Sequence, residues 1–199
     1  MPQKLLPAAA AVELVHSFSL VHDDLPALDD DRERRGAPSV WAAHGEATAI
    51  LAGDALLGEA MRLALTYPTP AVARELVDAT LKMIGGQQLD LQGGVELGQL
   101  HALKTGALFG ASIMCGLWAA GVPAAEHGPW RSFAAEVGLL FQIVDDVLDG
   151  DGYVLVVGEE AARRLADEAA ERARAQLDEI DGDTEVLRSI VDDLAVRTA

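Results

Sequence analysis

Five carboxylates fall within nine residues, at Asp23, Asp24, Asp29, Asp30 and Asp31, directly after an apolar run and just before Arg34 and Arg35. That much negative charge in one place calls for cations. Hard divalent ions such as Mg2+ take oxygen ligands, typically one or two carboxylates completed by phosphate oxygens and water. The two arginines can grip the same phosphates with forked hydrogen bonds. Taken alone, the segment reads more simply as a solvated acidic turn. A second cluster changes that balance: Asp145, Asp146 and Asp149 close another apolar run, and i,i+3 and i,i+4 spacing puts them on roughly one helical face. Like charges stacked in this way repel, and a surface helix gains nothing from them. Two aspartate-rich helix ends in one chain point to Mg2+ held against opposite sides of a diphosphate.

The elements that must position these residues are helical throughout. Leu5 to Asp24 is apolar on nearly all sides and stops before Pro26, so it belongs inside a bundle. His44 to Thr66 forms a second helix, stopped by Tyr67-Pro68, and Pro70 opens a third that runs toward Gln87 and Asp90 until Gly93-Gly94 breaks it. Val95 to Ala120 is the fourth, closed by Gly121-Val122-Pro123, and Trp130 to Asp149 the fifth. Gly150 to Gly158 has the Val and Tyr content to run briefly extended, with no pairing partner. Glu159 to Ile180 and Asp183 to Thr198 are charged on most faces and predict a solvated outer pair. The expected fold is an all-α helical bundle, one domain over residues 1–199, with a central cavity.

At 199 residues, half of them hydrophobic, the chain is long enough to bury a real core. A net charge of −17 excludes a nucleic-acid or anionic-membrane surface, both of which need a basic face. Any anionic substrate must be held by metal and a few local arginines. The single Cys115 cannot form an intramolecular disulfide and reads as a small buried hydrophobe in a reducing, cytoplasmic compartment. Glu13 and His16 interrupt the N-terminal apolar run, which argues against a signal peptide. Gly106 to Ala125 carries no charge and is just long enough to span a bilayer. Its glycines, Ser112 and Pro123 favour a buried core helix over a membrane span, and its wholly apolar character predicts a homodimer that covers it.

Four blocks, DDLPALDDDRERRG (Asp23 to Gly36), GGQQLDL (Gly85 to Leu91), HALKTGAL (His101 to Leu108) and FQIVDDVLD (Phe141 to Asp149), occur in the order seen in the trans-isoprenyl diphosphate synthases, and together they resemble that family. The resemblance implies an isoprenoid-synthase bundle. It also implies an Mg2+-dependent prenyltransferase that condenses isopentenyl diphosphate with an allylic diphosphate. Carried over by matching block, Asp23 and Asp29 with Asp24, and Asp145 with Asp146 and Asp149, bind Mg2+. Arg34 contacts the allylic diphosphate and Arg35 the isopentenyl diphosphate. Lys104 reaches the diphosphate at the family's helix break, while Thr105 and Gln142 turn oxygens toward the carbocation. His16, two turns before Asp23, points into the homoallylic site. Phe18 and Ser19, one turn below the metal, set chain length, with the Phe18 ring as the floor and C15 the expected product ahead of C20.

Two departures from the family pattern strip positive charge from the site. A basic Gly-Lys-Arg segment that precedes the first acidic block in the family is absent from this sequence, and Gly150 to Gly158 replaces a later loop that usually carries a Gly-Lys pair. A truncated reading frame, a shortened natural homologue, and a non-catalytic or regulatory subunit paired with an active synthase all fit that loss. A class I terpene cyclase would share the first acidic block but needs an Asn/Ser/Glu metal set in the later helix, where DDVLD stands instead.

Overall fold

The computed structural model describes residues 2–197; Met1, Thr198 and Ala199, which belong to the expected single domain, lie outside them. In chain order the elements are α1 (Pro2–Asp23), β1 (Glu33–Arg34), β2 (Ala37–Pro38), α2 (Val40–His44), α3 (Glu46–Ala64), α4 (Ala71–Gln92), α5 (Leu97–His101), α6 (Ala107–Ala120), α7 (His127–Asp149), α8 (Gly152–Val157), α9 (Glu159–Asp178) and α10 (Glu185–Ala195). The all-α expectation holds. Helix α6 is the hub, packing against α1, α4 and α7, while α3 lies on α1 and α9 on α7.

Two cores form around that hub. In the first, α1 contributes Ala8, Ala11, Val15 and Phe18, a stripe with helical spacing, against Ala60 and Ala64 of α3, Val72, Leu76 and Met83 of α4, and Cys115 of α6. In the second, Ala162, Ala166, Ala169, Ala170 and Ala173 of α9 meet Phe133, Val137, Leu140 and Ile143 of α7. The alanine stripe explains why a helix so rich in charge still docks: its small side chains let α9 lie close to α7 while the charged residues keep to the outer faces.

Several local expectations are corrected. Helix α1 buries only its one stripe, so its apolar composition does not place it wholly inside the bundle. The helix expected over His44 to Thr66 is α3, but it starts at Glu46, because Gly45 at φ 87° turns the chain between α2 and α3. A two-residue antiparallel pair exists where no strand was expected, Glu33 opposite Pro38 and Arg34 opposite Ala37. Its turn has positive φ at both central residues, 54° at Arg35 and 77° at Gly36, the conformation favoured in tight hairpins. Gly150 to Gly158 is helical rather than extended: Gly150 ends α7 in the left-handed conformation, and the Val154 N–H donates to Asp151 O at 2.8 Å to start α8.

The fourth expected helix is interrupted. Ala102–Gly106 forms a π-helical turn between α5 and α6, a rare conformation that concentrates at functional sites. Two glycines allow neighbouring helices to clamp it. A Cβ on Gly86 of α4 would lie 2.9 Å from Lys104 N, and one on Gly138 of α7 would lie 3.3 Å from Gly106 Cα. By length and composition Gln3–Asp23 and Leu97–Ala120 could each cross a membrane, but here both pack as bundle helices and give part of their surface to a shared cavity.

Candidate functional site

Helices α1, α4 and α7 bring their C-terminal ends to one region, and each carries aspartate there: Asp23, Asp90, and the trio Asp145, Asp146 and Asp149. A helix C-terminus bears partial negative charge, so carboxylates at that end are disfavoured and cations are favoured. The last turns of α4 and α7 contain no basic residue to offset this. One cation among them comes from the π-turn: Lys104 Nζ lies 2.5 Å from Asp90 Oδ2, and its charge also acts on Asp23, as does that of Arg34. Burial is the leading reason that the Asp23 carboxyl is pushed up to about 6, with Lys104 opposing it and Asp29 adding to it. Burial, then the nearby Asp149, raises Asp145 as well. Both groups gain from a cation placed against them.

Below this mouth lies a cavity of about 980 Å3, lined by Val12, Glu13, His16, Ser19, Leu20 and Asp23 of α1, Leu108, Phe109 and Ser112 of α6, and Phe141, Gln142 and Asp145 of α7, with Arg34, Arg35 and Lys104 also on its wall. Most of its charged side chains gather toward Asp23, while Val12, Leu20, Leu108, Phe109 and Phe141 give hydrocarbon wall, interrupted by Glu13, His16, Ser19 and Ser112. His16 faces the cavity as expected. Ser19 does too, its hydroxyl donating to His16 O at 2.9 Å. Phe18 does not. At 7% exposure it sits in the first core, edge-on to His22 with ring centroids 4.9 Å apart, because its position on α1 faces α3 and not the cavity. The aromatic floor expected from Phe18 is therefore absent, and small Ser19 occupies the wall at that depth.

The two adjacent aspartate pairs split by role. Asp24 is 3% exposed, and its Oδ1 accepts from Arg34 Nε at 3.0 Å and from Arg34 Nη2. That hydrogen bond is the first reason the Arg34 guanidinium is held even more firmly protonated than usual. Asp146, also 3% exposed, accepts from Gln142 Nε2 at 2.8 Å on one oxygen and from the Tyr153 backbone N–H at 2.8 Å on the other. Both were expected to bind metal. The structure gives Asp24 Oδ1 to holding the arginine loop, and both Asp146 oxygens to Gln142 and the start of α8. Asp23 and Asp145 face the cavity, Asp29 accepts from Gln87 Nε2 at 3.2 Å beside Asp23, and Asp149 is exposed at the end of α7.

Thr105 and Gln142 do come together, though not with both oxygens free. The Thr105 hydroxyl donates to Gln142 Oε1 at 2.9 Å, so the Gln142 amide relays between Thr105 and Asp146. The threonine oxygen keeps its lone pairs for the cavity. Among the described residues no group of three or more His, Cys, Asp or Glu side chains gathers as a ready metal cage. The donors are hard carboxylate oxygens in small sets, which fits Mg2+ completed by phosphate and water and does not fit a self-sufficient protein cage.

Four residues that the sequence reading did not single out belong to the site. Asp90 pairs with Lys104. Gln87 holds Asp29 and keeps a buried Oε1 without a hydrogen-bond partner. His101 lies with Nδ1 at 4.0 Å from Asp146 Oδ2, and burial lowers its pKa. Glu13 lines the cavity three residues before His16. Gln87 and Asp90 stood inside a block already noted, and their spacing from Met83 on α4 was the available signal. Nothing in sequence spacing links His101 to Asp146.

Residues 1–168 match the family described as polyprenyl synthetase. Relatives include a farnesyl diphosphate synthase of Bacillus subtilis, 39% identical over 163 residues, covering 74% of this chain and 55% of that protein. The farnesyl diphosphate synthase of Escherichia coli is 37% identical, covering 92% of this chain and 75% of that one. Among solved structures, a geranyltransferase from Legionella pneumophila superposes with a TM-score of 0.87 at 32% identity, over 97% of this chain and 75% of that one. The chain spans about half the length of the first curated relatives it matches.

The raised pKa of Asp23 makes a stability prediction. Below the ordinary carboxylate value of 3.8 the group is protonated whether folded or unfolded. As pH rises from there to about 6, the unfolded chain releases its proton first, so stability falls and stays reduced above about 6. Asp23→Asn removes that penalty. It should raise stability at pH 7 by about 1–2 kcal/mol, discounted for solvent screening, and leave it nearly unchanged at about pH 3, below both values. Thermal melts of both proteins at the two pH values check this; a variant no more stable at pH 7 would show that Asp23 ionises freely.

Proposed function

The chain belongs to the polyprenyl synthetase family, and from that premise we propose that it condenses isopentenyl diphosphate with an allylic diphosphate to give a short-chain trans-polyprenyl diphosphate of C15 or C20 length. One observation carries the reading: acidic helix ends and the cations Lys104, Arg34 and Arg35 line the same cavity as the apolar side chains Val12, Leu20, Leu108, Phe109 and Phe141. A substrate with a dianionic head and a hydrocarbon tail matches that polarity.

In the proposed reaction the allylic C–O bond breaks, the pyrophosphate leaves with the bonding electrons, the isopentenyl double bond attacks the carbocation, and a proton is then lost. Asp23 and Asp29 on one side, and Asp145 with Asp149 on the other, would hold Mg2+, which supplies Lewis-acid stabilisation of the departing charge. Lys104 adds a fixed positive charge at the same place, leaving Asp90 to do so. Arg34, oriented by Asp24, and the exposed Arg35 grip phosphate oxygens. The Thr105 oxygen, its proton committed to Gln142, faces the cationic carbon. Fixed charges of this kind need no reorganisation during reaction, which is why they lower the barrier. We place the protein in the cytoplasm.

The proposed partner is a second copy of the chain. Support comes from α3 and α4 and not from Gly106 to Ala125, which is half-buried. Val77, Leu81 and Ile84 make an exposed apolar stripe along α4, and Ile50 and Leu51 are exposed on α3. Such a patch marks an interface. Light scattering should give a dimer at micromolar concentration and a monomer for Leu81→Glu; a monomeric wild type would remove the proposal.

Labelled isopentenyl diphosphate with allylic acceptors tests the activity. Lys104→Ala should lower kcat by about 10²–10³, the usual cost of one charge-stabilising donor. Ser19→Phe should shorten the product by narrowing the cavity, whereas Phe18→Ala should leave length unchanged and cost about 3–5 kcal/mol of stability as a core cavity. Wild-type protein that makes no prenyl product, with folding intact, would refute the reading.

A further inference from the structure

We propose that Trp41 is a positioning residue for the diphosphate grip, acting through the loop that carries Arg34 and Arg35; this rests on the diphosphate reading of the site. Trp41 lies in the first turn of α2, outside the cavity lining. Its indole N–H donates to the Asp31 backbone oxygen at 2.8 Å. The carboxylate of the same Asp31 meets Arg34 Nη2 at 3.3 Å. Over the Trp41 ring sits the Arg32 guanidinium, 4.8 Å from the centroid, and the Ser39 N–H closes on Arg32 O at 3.0 Å. One side chain thus fixes both residues that lead into the arginine pair.

The loop needs that restraint. Asp30 at φ 55° and Arg35 at φ 54° both hold a backbone conformation that L side chains rarely adopt, and such residues persist only where their surroundings over-determine them. From α1 the restraint is Asp24 on Arg34. From α4 it is Gln87 on Asp29. On the far side of the hairpin, Trp41 is the tether. Without it, Arg34 stays paired to Asp24, but the stretch from Asp31 to Arg35 is free to sample other backbone states. Each phosphate contact must then bear the cost of ordering the loop. The loss should fall on binding and not on the chemical step, because Lys104 and Asp23 are untouched.

Calorimetry with inorganic pyrophosphate and Mg2+ tests this without requiring turnover. Trp41→Ala removes the hydrogen bond and the stacked ring and should weaken pyrophosphate binding about tenfold. Trp41→Phe keeps a ring beneath Arg32, loses the N–H, and should weaken it about threefold with an unchanged melting temperature. In the prenyl transfer assay both variants should raise KM and hold kcat within about twofold of wild type. Variants that bind pyrophosphate like wild type would overturn the positioning role alone. Wild type that takes up no pyrophosphate at any Mg2+ concentration would overturn the diphosphate reading and this inference with it.

Discussion

Everything at the mouth of the cavity depends on an unbalanced charge. Three helices end there with aspartates in or near their last turns, against the sense of the helix dipole, and Lys104 is shared between Asp90 and Asp23. Around the π-turn that presents Lys104, Gly86 and Gly138 let α4 and α7 close in. Larger residues at either glycine would push against the backbone of Lys104 or Gly106. The local geometry of α4, α6 and α7 is thus tied to keeping one lysine among carboxylates that burial makes reluctant to ionise. The arrangement favours an incoming cation and, through it, an anionic ligand.

Within each acidic cluster the neighbouring aspartates are not equivalent. Asp23, Asp145 and Asp146 line the cavity, but Asp24 and Asp146 are buried and hydrogen-bonded within the protein, the first to Arg34 and the second to Gln142 and the Tyr153 backbone. The more buried member holds the loop or short helix that follows, and the half-buried one is left for chemistry. A change at Asp24 would therefore act through Arg34, and one at Asp146 through Gln142, Thr105 and the start of α8.

Much of this was legible in the sequence. Apolar runs ended by proline and glycine gave the bundle, and two aspartate-rich ends with following arginines gave the chemistry, because charge clusters and breakers are local signals. What was not legible was orientation. Adjacent positions on a helix point about 100° apart, so Phe18 and Ser19 could be assigned one depth but not one direction, and the ring turned out to be core. For the same reason, spacing did not reveal that Asp24 accepts from Arg34 and Asp146 from Gln142. The Lys104–Asp90 pair and the approach of His101 to Asp146 depend on how α4, α5 and α7 pack, which residue spacing within one helix does not encode. The two-residue hairpin escaped notice because its signal, Arg35-Gly36 in a tight turn, was read only for its charge.

The most direct measurement is calorimetric titration of Mg2+ into the protein, alone and with an unreactive diphosphate present. Since the described carboxylates form no cage of three, Mg2+ should bind weakly alone and far more tightly when phosphate oxygens complete its coordination. Asp23→Ala or Asp145→Ala should abolish that enhancement. Tight Mg2+ binding without any diphosphate, indifferent to both substitutions, would contradict the assignment of these helix ends to a metal-bridged diphosphate.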